Sequence, residues 1–186
     1  MSPMRSSLWL ALCLLMPAAA EAARGLQVRD LATLDRYSSP TLSPNGRVVV
    51  FAKRSVDFAA NKSATALWIE DLAARDAAPP KRLTPEGWNV NSPAFSTDGK
   101  TVYFLSAKSG SQQLYAIPAA GGTPKLLTEL PVDVGAYKLS PDGKRIALAL
   151  ETFADCTSDL ACTKKRLDDN GARKTTCVFF DLMFIR

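Results

Sequence analysis

The chain has 186 residues, 47% apolar, 22% charged and 8% aromatic, a globular balance that excludes a disordered, collagen-like or polytopic membrane protein. Its 23 basic and 18 acidic residues leave a net charge of +5, but the basic residues are scattered among acids, so nucleic acid is not an expected partner. Histidine is absent. A Ser/His/Asp or Cys/His site therefore cannot be assembled from these residues, and no catalytic residue, metal or cofactor is expected among them.

Residues 1–22 read as a secretory signal peptide: Arg5 gives a positive start, Leu8 to Met16 is an apolar core, and Pro17 precedes a small-residue tail. The core is about half the ~20 residues a membrane span needs. Ala18-Ala19-Ala20 and Ala20-Glu21-Ala22 both offer A-x-A cleavage sites. Cys13 is preceded by Leu12 and lies within the apolar core, which argues against lipidation. Export implies a periplasmic or secreted protein that leaves the membrane once the leader is cut.

A lead segment, residues 23–36, follows; Leu31 and Leu34 are three apart, which suits either one helical turn or a short strand. Beyond it one pentapeptide occurs three times, as Ser43-Pro44-Asn45-Gly46-Arg47, Ser96-Thr97-Asp98-Gly99-Lys100 and Ser140-Pro141-Asp142-Gly143-Lys144. Each copy predicts a tight turn, with Gly free to take positive φ, and each feeds an apolar or alternating run: Val48 to Ala52, Val102 to Ser106 and Ile146 to Glu151. An aromatic run recurs in phase, Leu67 to Leu72 and Leu114 to Pro118, and so does a short run ending in Thr, Lys81 to Thr84 and Lys125 to Thr128.

Four short strands in each repeat of 40–50 residues describe a β-propeller blade. A β-sandwich has no reason to repeat one pentapeptide at one strand junction. The expected architecture is all-β: a partial propeller over 37–186 with blade one at 37–84, blade two at 92–128 and an incomplete blade three at 135–186. About two and a half blades are present where ~4–8 close a propeller, so the sequence reads as a fragment. Blade three contains a polar loop, Thr152 to Thr176, and then an apolar strand, Cys177 to Ile185. After export an odd set of three cysteines remains, and the close spacing of Cys156 and Cys162 favours a disulfide between them with Cys177 left over; three free thiols are the alternative.

The stretches Arg29 to Arg36, Leu83 to Pro93, Asp133 to Lys144 and Phe180 to Arg186 resemble the start of exported bacterial serine peptidases of the prolyl oligopeptidase family, in the dipeptidyl aminopeptidase and acylaminoacyl peptidase branch. The resemblance implies an N-terminal propeller that limits access to short peptides and a following α/β-hydrolase domain with Ser, Asp and His. That second domain is absent from this sequence, which has no G-x-S-x-G nucleophile elbow. The chain is thus expected to be inactive alone, to meet short peptides through the missing domain, and to shape the entrance. The alternative is a TolB-like propeller acting as a protein-binding module, while a decayed reading frame is a third option. Oligomeric state is left open.

Trp88, Asn89 and Asn91, in the loop between blades one and two, are the substrate-binding candidates, because they combine an aromatic face with amide donors and acceptors. Loop asparagines also serve turns, and a Trp there also covers an apolar blade face. Trp68 and Tyr115 hold equivalent third-strand positions and read as packing residues. The Lys164-Lys165-Arg166 cluster beside Asp168 and Asp169 reads as a solvated charge run with docking as its functional alternative, and Asn61-Lys62-Ser63 as a sequon without weight in a bacterial protein.

Overall fold

The recurring pentapeptide builds the same turn three times. In the computed structural model, which describes residues 25–73, 79–156 and 159–172, Ser43 Oγ donates to Asn45 Oδ1 at 2.7 Å and accepts the N–H of Val48 at 3.0 Å. Ser96 does the same with Asp98 at 2.6 Å and Thr101 at 3.0 Å, and Ser140 with Asp142 at 2.5 Å and Arg145 at 2.9 Å. Gly46, Gly99 and Gly143 take φ of 68°, 71° and 68°, the left-handed region where an L side chain is strained. The serine is therefore as essential to the repeat as the glycine: it closes the turn and starts the next strand.

The turns connect β1 (Arg36–Leu42) to β2 (Val48–Asp57), β5 (Val90–Phe95) to β6 (Thr101–Ser106), and β9 (Val134–Leu139) to β10 (Ile146–Leu150), all antiparallel. Two more antiparallel strands complete each of the first two sheets: β3 (Lys62–Asp71) and β4 (Lys81–Arg82) in one, β7 (Gln113–Pro118) and β8 (Lys125–Leu126) in the other. The sheets are thus β1-β2-β3-β4, β5-β6-β7-β8 and β9-β10, the four-stranded meanders of a β-propeller with the third present here as two strands. The two-residue fourth strands are extended by a repeated threonine, for Thr84 Oγ1 accepts the N–H of Leu67 at 3.0 Å and Thr128 Oγ1 that of Leu114 at 2.9 Å.

The first strands of the sheets are bulged and linked to one another. In β1 and β5 the register shifts between Ser38 and Thr41 and between Asn91 and Ala94, at Ser39-Pro40 and Ser92-Pro93, where the serines have φ of 53° and 52°. Thr41 Oγ1 donates to the carbonyl of Pro93 at 3.0 Å, and the Tyr137 hydroxyl donates to that of Ser92 at 2.7 Å, tying β1 to β5 and β5 to β9. Burial pushes the Tyr137 phenol above its ordinary pKa, and the neighbouring Tyr103 adds to the shift.

Packing between sheets makes the core. Val50, Ala52, Leu67 and Leu83 from the first sheet meet Val90, Phe95, Val102, Phe104, Tyr115 and Ile117 from the second. The second sheet's other face contributes Leu105 and Leu114, which meet Val134 with Tyr137, Leu148 and Leu150 of the third. Covered on both faces, β6 reads as an almost continuous apolar run, as strands buried on both sides do.

Of the two forms open to the lead segment, the structure takes the helical turn, α1 (Val28–Thr33), before β1 begins. One expectation changes. The polar stretch 152–176 is not simply a loop, because it contains a helix, α2 (Leu160–Ala172). Asp159 caps α2 by accepting the N–H groups of Ala161 at 2.9 Å and Cys162 at 3.2 Å, and the Lys164–Asp168 pair bridges one turn. Polar composition concealed a capped helix made mostly of good helix formers. Cys156 and Cys162 are joined by a disulfide that fastens the start of this helix. The signal peptide (1–22), Cys177 and the strand assigned to 177–185 lie outside the described residues.

Candidate functional site

Two open clefts flank the second sheet at the end where β4 runs into β5. One, of about 580 Å³, lies between the second and third sheets, where the loop at Gly110 to Gln112, the segment Pro131 to Gly135 and helix α2 converge. Its charged lining is Asp133, Glu151, Asp168 and Lys164, and Lys164 is already paired with Asp168. Asp133 Oδ1 accepts the N–H of Gln112 at 2.7 Å, which uses that oxygen structurally. The buried Thr163 hydroxyl on α2 has no hydrogen-bond partner among the described residues.

The other cleft, of about 670 Å³, lies between the first and second sheets. On β2 the face turned toward the second sheet carries Val50 and Ala52 and then Arg54, so the apolar seam ends at a guanidinium and the sheets part. Arg54 stands directly opposite Arg36 of β1 in the strand register. The Arg54 guanidinium donates to Ser63 Oγ at 3.0 Å, and that of Arg36 to the carbonyl of Leu31 at 3.3 Å. Ser38, Thr65, Asn89 and Asn91 add to the polar wall, and among the described residues no Asp or Glu lines it.

The three candidates separate, and only Trp88 and Asn89 are in the connection, because Asn91 is already on β5, opposite Leu105 of β6. Trp88 is turned into the core, edge-on to Tyr115 at 5.0 Å and to Phe104 at 6.2 Å, while its carbonyl accepts the Ser106 hydroxyl. The half-buried indole thus covers a blade interface. Asn89 and Asn91 do line the larger cleft. Asn89, with φ of 46°, accepts the N–H of Thr65 at 3.1 Å and so ties the inter-sheet connection back to β3. Asn91 donates to Gln112 Oε1 at 3.1 Å, joining the walls of the two clefts.

Trp68 and Tyr115 pack as structural residues: Tyr115 stacks on Phe104 at 5.7 Å, and Trp68 lies under Lys53 Nζ at 5.0 Å. Lys53 in turn pairs with Asp35 at 2.7 Å, and that hydrogen bond holds the Asp35 carboxyl below its ordinary pKa and Lys53 above its own. Two of the three basic residues of the α2 cluster are paired, since Lys164 meets Asp168 while Arg166 pairs with Asp155 and covers the Phe153 ring at 5.1 Å. Reading the sequence missed Arg36 and Arg54. Their equal distance from Asn45 on either side of a hairpin turn was the available signal, but it has meaning only once the strand register is known.

Residues 58–155, just over half the chain, match the family described as "Dipeptidyl peptidase IV (DPP IV) N-terminal region". The chain is 31% identical over 116 residues to the Dipeptidyl-peptidase 5 of Porphyromonas endodontalis, an alignment covering 62% of this chain and 16% of that protein. The Tol-Pal system protein TolB of Francisella tularensis is 34% identical over 70 residues, 37% of this chain and 16% of that one. Among solved structures, the acylaminoacyl peptidase of Pyrococcus horikoshii superposes with a TM-score of 0.52 at 18% identity, covering 63% of this chain and 17% of that one, and shares the fold. A TolB from Agrobacterium tumefaciens does so with a TM-score of 0.50 at 19% identity, covering 63% of this chain and 39% of that one. The chain spans less than a fifth of the length of the curated relatives it matches.

Proposed function

The chain belongs to the family of the dipeptidyl peptidase IV N-terminal region, and from that premise we propose that it is the non-catalytic propeller portion of an exported serine peptidase, gating the access of short peptides to a hydrolase domain. Family membership carries this reading, and the absence of histidine from the sequence supports the non-catalytic part of it. Open clefts of about 580 and 670 Å³ run between neighbouring blades, which is compatible with contact to an extended peptide. Export is inferred from the leader-like residues 1–22.

Incubated with short chromogenic peptides and a serine-reactive probe, the purified chain is expected to give no turnover and no labelling. Turnover with labelling would overturn the reading. A second reading, a propeller that binds a partner protein with no peptidase attached, is favoured by the likeness to TolB. The coding sequence beyond Arg186 separates them: the first requires a G-x-S-x-G elbow followed by a histidine, and the second only further blades.

A further inference from the structure

We propose that Arg36 and Arg54, side by side across β1 and β2 at the rim of the larger cleft, form a carboxylate-binding site that takes an acidic side chain of a peptide. Like charges directly opposite one another in a strand pair destabilise the sheet. Here two guanidiniums occupy that relation, and among the described residues neither has a carboxylate partner, although Lys53, the neighbour of Arg54 on the other face of β2, does. Both guanidiniums are exposed, so water screens their repulsion without drawing them together; a couple unpaired among the described residues, placed where the apolar seam between sheets ends, is explained by an anion that joins it.

The chemistry of the wall agrees. Among the described residues each guanidinium gives one hydrogen bond, Arg54 to Ser63 Oγ and Arg36 to the Leu31 carbonyl, leaving further N–H groups of each planar fork uncommitted there. The Asn89 side-chain oxygen is spent on the N–H of Thr65, so its NH2 donors remain. Ser38 adds a hydroxyl. Among the described residues donors dominate and no carboxylate competes, whereas the cleft across the second sheet carries Asp133, Glu151 and Asp168. Two arginines recognise an oxyanion better than two lysines would, because the flat fork matches the two oxygens of a carboxylate. The preference for an oxyanion stands on the cleft alone, and the assignment of that oxyanion to a peptide rests on the gating reading above.

Isothermal titration of the full chain with acetyl-Ala-Glu-Ala-amide and with its Gln counterpart tests the site. The Glu peptide is expected to bind about tenfold more tightly, a preference that fades as ionic strength rises. Arg36→Gln and Arg54→Gln should each abolish the preference while leaving the thermal midpoint unchanged or higher, because each removes one of two facing like charges. A lowered midpoint with the preference intact would make the pair structural and overturn the proposal. If the Gln variants do not fold, Arg54→Lys decides, since it keeps the charge and loses the fork: a several-fold weaker Glu peptide supports the site, and undiminished affinity refutes it. Equal binding of the Glu and Gln peptides also refutes it. Inorganic phosphate that displaces the Glu peptide at a lower concentration than the peptide itself needs to bind would mark a phosphate site and overturn the peptide assignment. None of these outcomes depends on a hydrolase domain, so the gating reading can fail while the site stands.

Discussion

The second and third sheets begin with the same turn and end in different surroundings. Around Ser96 and around Ser140 the hydroxyl, carboxylate and backbone bonds match to within a few tenths of an ångström. Yet Val102, Phe104 and Leu105 on β6 are fully buried, whereas Ile146 on β10 is 38% exposed. The difference lies in what covers them: the second sheet has four strands and a neighbour on each face, while the third is described as two strands with the second sheet against one face. A turn is closed by atoms a few residues apart. A blade is buried only by strands and sheets that the turn does not control.

The sharpest way to break this contrast is to excavate both sheets. Phe104→Ala is expected to cost about 3–5 kcal/mol in urea unfolding, and Leu148→Ala on the partly covered β10 at most about 2 kcal/mol. Equal costs would mean that the third sheet is as well buried in solution as the second.

Gln113 is the next test, because it has no equivalent among the described residues of the third sheet. Fully buried, it donates to the carbonyls of Leu130 and Val132 and accepts from Leu130 N–H and the Thr128 hydroxyl, pinning the segment that leads into β9. Gln113→Ala strands those groups and should cost about 2–3 kcal/mol, with faster amide exchange at Leu130 as the local signature.

The turns themselves provide a smaller and more pointed comparison. A Cβ on Gly46 would meet nothing within 4 Å, whereas one on Gly143 would stand 2.8 Å from Thr97 Oγ1 of the preceding turn. Gly46→Ala should therefore cost only the left-handed backbone term of about 1–2 kcal/mol, and Gly143→Ala more. Adding Thr97→Ala should bring the second cost down to the first in a double-mutant cycle, and failure to do so would show that successive turns are not in contact.

The smallest effect is one of pH. The hydroxyls of Ser96 and Ser140, and then the N–H groups of Lys100 and Lys144, hold the Asp98 and Asp142 carboxyls below their ordinary value. In acid the unfolded chain takes up these protons first, so their contribution is complete above the ordinary carboxylate range and is lost as pH falls through the lowered value. Asp98→Asn with Asp142→Asn should flatten the acid limb of the stability profile toward the behaviour of the first turn, where Asn45 already holds that place without a titratable group.

What was legible from the chain alone was whatever is settled by neighbours in sequence: the three turns, the strands they launch, the fourth strands ending in Thr84 and Thr128, and hence the propeller class. Helix α2 escaped because its cap, its ion pair and its disulfide compensate for a polar composition that reads as loop. Trp88 could not be sorted from Asn89 and Asn91 by sequence, since residues within four positions of one another parted company only when Phe104 and Tyr115 arrived from two other strands to pack on the indole. The juxtaposition of Arg36 with Arg54 likewise exists only after β1 and β2 are paired in one register and a second sheet closes off the cleft beside them. Short-range hydrogen bonds are encoded within a few residues and survive in any context, but burial and side-chain company depend on distant strands, and those the fold alone supplies.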